Sequence, residues 1–228
     1  PIYVTGAGAA GAFHTVVEVG TSKAHGKKPD THAERDEIID AIYEVFETRA
    51  ITRMTDAGAE EPTILRCWGS IITAVDNITT ADLLLDGDGQ CGAWQDFFYE
   101  ACRAQGITPV KVRIVPQNWP FPEPPAGWTY TRRAFRIKPI PAQGSGQAAP
   151  AVQNFFDHAV VGWEKTDGTY VLYDPSYGTL FEGNINHVLR VAWETASLES
   201  RRAERHLIGS NPLVTFTHNL TPPLLPFG

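Results

Sequence analysis

At 228 residues and 43% apolar, with a formal charge of −7, the chain can bury one full core, and no apolar run in it is long enough to cross a membrane as a helix, so membrane insertion is not expected. Its basic residues form no patch beyond short pairs such as Arg132-Arg133 and Arg201-Arg202, which argues against a nucleic-acid partner. Three cysteines at wide, unpatterned spacing make neither a disulfide framework nor a zinc site, and they favour a reducing compartment.

The sequence opens at Pro1 with no initiator Met and no signal-like segment, which reads as a domain taken from a longer polypeptide and gives no localisation. Gly6-x-Gly8-x-x-Gly11 has the spacing of a dinucleotide-binding fingerprint. The alternating, β-branched run Phe13 to Val19 that follows predicts a strand where that fingerprint needs a helix, so a flexible turn and no cofactor are expected. Thr31-His32-Ala33-Glu34 is a capping box opening a helix to about Arg49, with Ile38, Ile42, Val45 and Phe46 as its buried stripe. Its acidic face, Glu34, Asp36, Glu37, Glu44 and Glu47, reads as solvated. A second helix is predicted from Pro62, burying Leu65, Trp68, Ile72 and Val75 and ending at a Thr79-Thr80 break. Cys67 and Cys102 read as small core hydrophobes within helices.

The stretch from Thr79 to Ile107 carries the chemistry. After the turn Asp86-Gly87-Asp88-Gly89, the positions Ala93, Trp94, Phe97, Phe98, Ala101 and Cys102 recur at helical spacing, and Gly106 ends the segment. Cys91 therefore falls in the first helical turn, where unpaired N–H groups and the positive end of the helix dipole favour an anion. A calcium-loop reading of the turn fails, because its spacing demands Gly at Cys91 and Glu at Phe97, and no metal is expected. The turn serves better to aim the Cys91 backbone N–H at a cleft as an oxyanion donor.

Ile107 to Val115 alternates as a strand, and the texture then changes. Residues 116 to 130 combine five prolines with Trp119, Phe121, Trp128 and Tyr130, and residues 139 to 151 are rich in Pro, Gly, Ala and Gln around the strand-like Ala134 to Lys138. The segment is either a surface excursion pinned by its aromatics or a lid or wall of a substrate groove, for which Trp94, Trp119, Phe121, Trp128 and Tyr130 are the candidate lining residues. Farther on, two strand-like runs, Phe155 to Trp163 and Thr169 to Tyr173, flank the hairpin signal Asp167-Gly168. His158 lies nine residues before Asp167 and Asp174 seven after it, so the two share a face, directly opposed or one diagonal apart. Gly178 to Gly183 continues the meander, residues 186 to 206 predict a helix broken near Ser197, Phe216 lies in a last strand, and residues 222 to 228 form a tail. His14, His187 and His206 are alternative bases in principle, but each lacks an Asp-bearing partner strand, and the comparison favours His158. The order, helices first and an antiparallel sheet later, gives an α+β fold.

Thr-Ala-Asp-Leu-Leu-Leu-Asp-Gly-Asp-Gly-Gln-Cys-Gly-Ala-Trp, then Asp-His-Ala-Val-Val, then Tyr-Asp-Pro-Ser-Tyr-Gly resembles the core of the transglutaminase-like superfamily, relatives of the papain-type cysteine peptidases. The resemblance covers residues 64 to 183 of a single domain, 1 to 228, with 116 to 151 as an insertion. It implies a nucleophile helix packed against an antiparallel sheet or partial barrel, with Cys91 as nucleophile, His158 as general base and acid, and Asp174 as the group that orients it. Gln90 and Trp68 are the candidates for a second oxyanion donor. The implied activity is thiol-dependent acyl transfer on a protein or peptide. Hydrolysis of peptide or isopeptide amides is favoured, because the similarity is to compact microbial-type cores; protein-glutamine transfer or deamidation is the alternative. Relatives that have lost catalysis and serve as peptide-binding scaffolds form a third reading, against which the complete triad stands.

Overall fold

Capping chemistry and apolar spacing set the helical half of the molecule, while long-range strand pairing sets the rest. The computed structural model describes residues 14–53, 64–67, 79–115, 126–138, 140–144, 154–155, 157–183, 197–207 and 214–216, with backbone alone for 128–137, 154, 198–207 and 214–216. In chain order the elements are α1 (His14–Ser22), α2 (His32–Glu47), β1 (Arg66–Cys67), α3 (Thr80–Asp86), β2 (Asp88–Gly89), α4 (Cys91–Ala104), β3 (Val110–Ile114), β4 (Trp128–Ile137), β5 (Asn154–Phe155), β6 (His158–Glu164), β7 (Tyr170–Asp174), β8 (Thr179–Gly183), β9 (Leu198–Leu207) and β10 (Val214–Phe216). The fold is α+β: β3-β6-β7-β8 form one antiparallel sheet and β10-β9-β4-β5 a second. Neither closes into a barrel among the described residues.

α4 is the hub, packed against α1, α2 and α3 and against β2, β3 and β6. Its buried side is lined by Ala93, Trp94, Phe97, Phe98, Ala101 and Cys102, as the spacing predicts. Trp94, Phe97 and Phe98 meet Tyr43 and Phe46 of α2, and Tyr173 of β7 closes the cluster. α2 begins with the expected capping box, Thr31 and Glu34 exchanging side-chain and backbone bonds. Gln95, almost fully buried, donates from Nε2 to the carbonyls of Val112 and Val160, at 2.9 and 2.5 Å, and so ties the helix that begins with Cys91 to the strand that begins with His158.

Four expectations are corrected. The first concerns residues 14 to 22, which form helix α1 although their β-branched alternation predicts a strand. The buried set Thr15, Val16, Val19 and Gly20 has helical spacing, and a Cβ on Gly20 would stand 2.7 Å from the Ala101 carbonyl oxygen. Close packing on α4 overrides local propensity here. The ground for setting aside the glycine fingerprint falls with the strand, but α1 leads into α2 rather than into a parallel strand, so the βαβ unit such a fingerprint requires is not formed.

The second concerns the helix expected from Pro62. Residues 64 to 67 are extended instead: Leu65 N–H donates to Ile51, Arg66 N–H to Gly87 and Cys67 N–H to Gln143, and β1 pairs in parallel with β2. With its amides committed to three other segments this stretch cannot make helical bonds; Pro62, Trp68, Ile72 and Val75 lie outside the described residues. The third is the Thr79-Thr80 break, which is the start of α3. Thr79 caps that helix in a box with Asp82, and Gly87, at φ 76°, ends it. The fourth concerns residues 198 to 206 of the helix expected over 186 to 206. They belong to β9, laddered along the whole of β4 and on to β10. The long insertion, expected as an excursion or lid, thus supplies a ten-residue strand to a second sheet.

Candidate active site

Two glycine-dependent steps deliver Cys91. Gly87 turns the chain out of α3 in the left-handed conformation, and β2 pairs with β1. Gly89 then passes where a Cβ would stand 2.9 Å from the Ala93 side chain and 3.2 Å from Leu83, so only glycine fits between α3 and α4. Gln90 is the N-cap, extended at φ −73° and ψ 170°, and makes no side-chain cap bond. Its carbonyl accepts from the amides of Ala93 and Trp94. Cys91 is consequently the first residue of α4, beside a helix terminus that no N-cap side chain closes.

His158 opens β6 and Asp174 closes β7. Val161 pairs with Tyr173, which puts the two one diagonal apart on the hairpin, and the turn between them is tight, with Gly168 at φ 82°. His158 Nε2 lies 2.7 Å from Asp174 Oδ2, with both side chains buried. The other carboxylate oxygen of Asp174 accepts from the Ser176 amide at 3.2 Å. Burial alone would lower the basicity of His158; the charge and hydrogen bond of Asp174, with the hydrogen bond and charge of Cys91, outweigh it and raise its pKa to about 10. Since Nε2 is taken by Asp174, Nδ1 is the ring nitrogen left to Cys91. The rings of Phe155 and Tyr177 stand edge-on to the imidazole at 5.2 and 5.8 Å.

Of the three cysteines, Cys67 and Cys102 are buried and Cys91 is partly exposed. Burial pushes the Cys102 thiol far up, and burial with the charges of Cys91 and Asp174 does the same to Cys67, so neither is a thiolate near neutral pH. Cys67 lies in a strand rather than a helix, at the edge of the site, because β1 pairs it with Gly89, two residues before Cys91. No spacing in the sequence signals that approach; it depends on a two-residue parallel ladder.

Trp94 is corrected as a groove residue. It is fully buried, and its indole N–H donates to the Arg66 carbonyl, so it pins α4 to β1. Gln90 stands next to Cys91 and is half-buried. Trp68, Trp119 and Phe121 lie outside the described residues, and Trp128 and Tyr130 are on β4, where the backbone alone is described. Of the alternative bases, His14 begins helix α1, His187 is outside the described residues and His206 is on β9 opposite Thr129. No three metal-binding side chains converge among the described residues.

A thiol at a helix N-terminus that acts on an imidazole, itself hydrogen-bonded to a buried carboxylate, can form a nucleophile and move its proton. Compared with family models, curated proteins and solved structures, the chain matches none.

Proposed function

We propose that this chain is a thiol-dependent acyl-transfer enzyme of transglutaminase-like type, whose favoured reaction is hydrolysis of a peptide or isopeptide amide. The buried 2.7 Å contact of His158 with Asp174, beside a thiol that begins a helix, carries the reading. A structural histidine has no need of a buried carboxylate on one ring nitrogen and a partly exposed cysteine bearing on the same ring. Cys91 Sγ attacks the substrate carbonyl carbon, and the oxyanion is held by the Cys91 backbone N–H, with Gln90 or Trp68 as the second donor. His158 gives its proton to the departing amine as the C–N bond breaks and a thioester forms. It then takes a proton from water, whose hydroxide attacks the thioester and releases the acid and the Cys91 thiolate, restoring the imidazolium–thiolate pair. Asp174 holds the imidazole so that Nδ1 faces the thiol throughout.

Iodoacetamide near neutral pH is expected to label Cys91 well ahead of Cys67 and Cys102, whose thiols are buried. Mass mapping decides, and preferential labelling of either buried cysteine removes the assignment. Incubation with a peptide library, with and without a labelled primary amine, then separates the reactions. Shortened peptides support hydrolysis; incorporated amine makes the protein a transferase; a gain of about one mass unit on Gln, the difference between amide and acid, makes it a deamidase. Full biological activity of both Cys91→Ala and His158→Ala would make it a binding module.

A further inference from the structure

We propose that Gln143 is a positioning residue for Asp174, acting through the Pro175–Ser176 peptide. The inference rests on the triad reading and concerns what holds the third member in place.

β7 ends at Asp174 and β8 begins at Thr179, so the connecting turn leaves the sheet ladder and its carbonyls need other donors. They find them without a gap. Tyr43 Oη donates to the Asp174 carbonyl at 2.8 Å, Gln143 Nε2 to Pro175 at 2.9 Å and the Gln143 amide to Ser176 at 2.9 Å. Arg49 follows, with Nε to Tyr177 at 2.8 Å and Nη2 to Gly178 at 3.4 Å. Gln143 comes from the long insertion, near the sheet strand β4 in sequence, yet it is 2% exposed. Its Nε2 also donates to the Phe46 carbonyl at 2.6 Å and its own carbonyl accepts from Cys67 N–H, so it joins the turn to the end of α2 and to β1. Among the described residues its buried Oε1 has no hydrogen-bond partner, while both side-chain N–H groups serve the two carbonyls. Gly144 seals the position: at φ +68°, a Cβ there would stand 2.6 Å from Arg66 and 2.8 Å from the Leu65 carbonyl.

The Pro175 carbonyl and the Ser176 N–H belong to one planar peptide unit and point in opposite directions. The Ser176 N–H is the donor to Asp174 Oδ1, while Oδ2 holds His158. Fixing the carbonyl through Gln143 Nε2 therefore fixes the N–H on the carboxylate. Without that bond the peptide can rotate, Oδ1 is released, and Oδ2 loses its alignment with the imidazole. Arg49 anchors the same turn two residues farther on and does not touch this peptide, which makes it the control.

The test follows the titration of His158 by NMR of histidine-labelled protein, in the Cys91→Ala background, which removes the Cys91 charge from the ring and keeps that of Asp174, with Tyr177 against it as a neutral phenol. Asp174→Asn marks the value without the carboxylate. Gln143→Met, nearly isosteric and without donors, is expected to move the titration down by about one unit, the scale of a lost hydrogen-bonded partner, toward the Asp174→Asn value. Arg49→Met is expected to lower the melting temperature and leave the titration in place. A Gln143→Met protein that loses melting temperature and keeps the His158 titration of its parent overturns the proposal and leaves the triad intact. An unmoved titration in Asp174→Asn overturns the triad reading and the proposal with it. If Gln143→Met does not fold, Gln143→Asn, which keeps the amide one methylene short of the two carbonyls, carries the same two outcomes.

Discussion

The hairpin of β6 and β7 is held at both ends by α2, and the two ends are held by different chemistry. At the turn end the acceptors are carboxylates. Asp36 accepts from Trp163 Nε1, from the Thr166 amide and from the Thr166 hydroxyl at 2.7 to 2.9 Å, and Asp40 accepts from Lys165 and from the Tyr173 hydroxyl. At the site end the acceptors are backbone carbonyls and the donors come from Tyr43, Gln143 and Arg49. Water reaches the first set in part; the Tyr43, Gln143, His158 and Asp174 side chains of the second are buried. A group such as Asp40 or Lys165 that loses its partner at the turn end can be rehydrated, whereas one at the site end is stranded, so equal numbers of lost bonds should cost unequal amounts.

The largest expected effect is at His158. On the proposed function, replacing it with Ala should remove turnover; it also leaves the Asp174 carboxylate buried without its partner, which should destabilise the fold by about 3 kcal/mol in urea unfolding near neutral pH. Cys91→Ala, at a partly exposed position, should remove turnover with little change in stability. A His158→Ala protein as stable as Cys91→Ala would mean that the pair is not buried as a unit. Next in size is Tyr43→Phe. It deletes one hydroxyl that serves two carbonyls, those of Asp174 and Thr179, and should cost about 1 to 3 kcal/mol, the penalty for stranding buried acceptors.

The contrast also marks what could be read in the sequence. Cys91, the turn that delivers it and the hairpin bearing His158 and Asp174 were legible because each depends on residues close in sequence: glycines at forced backbone positions, a helix start, a two-strand register. Helix α1 was not, since Val16, Val19 and Gly20 acquire a helical meaning only against Ala101. β1 and β9 were not, since their amides bond to segments far along the chain. Asp36 reads as one carboxylate of a solvated acidic face, and its role rests on Trp163 and Thr166, far away in sequence. Gln143 sits in a Pro/Gly/Ala/Gln-rich stretch whose composition suggests a loop, and no local pattern announces a residue buried between β1, α2 and the Asp174 turn.

The smallest expected effect is at the turn end, and pH gives it a sign opposite to that of the site. Burial raises the Asp36 carboxyl, but its bonds from Thr166 and Trp163, helped by the His32 charge, outweigh that and hold it below the usual carboxylate range. A depressed carboxyl stabilises the fold above its unfolded value and loses that contribution as pH falls through the folded one. His158 is raised from its ordinary 6.5 to about 10, so its contribution is complete below pH 6.5 and is lost as pH climbs toward 10. Urea unfolding from pH 3 to pH 10 should therefore show Asp36→Asn destabilised by about 1 kcal/mol at neutral pH, with the gap to the parent closing on the acid side. The gap for His158→Gln should close on the alkaline side. Lys165→Met, which removes a partly exposed pair with Asp40, should cost under about 1 kcal/mol and less in high salt. If instead the Asp36 and His158 gaps closed on the same side, the hairpin would be held by one coupled network and the separation of its two ends would be lost.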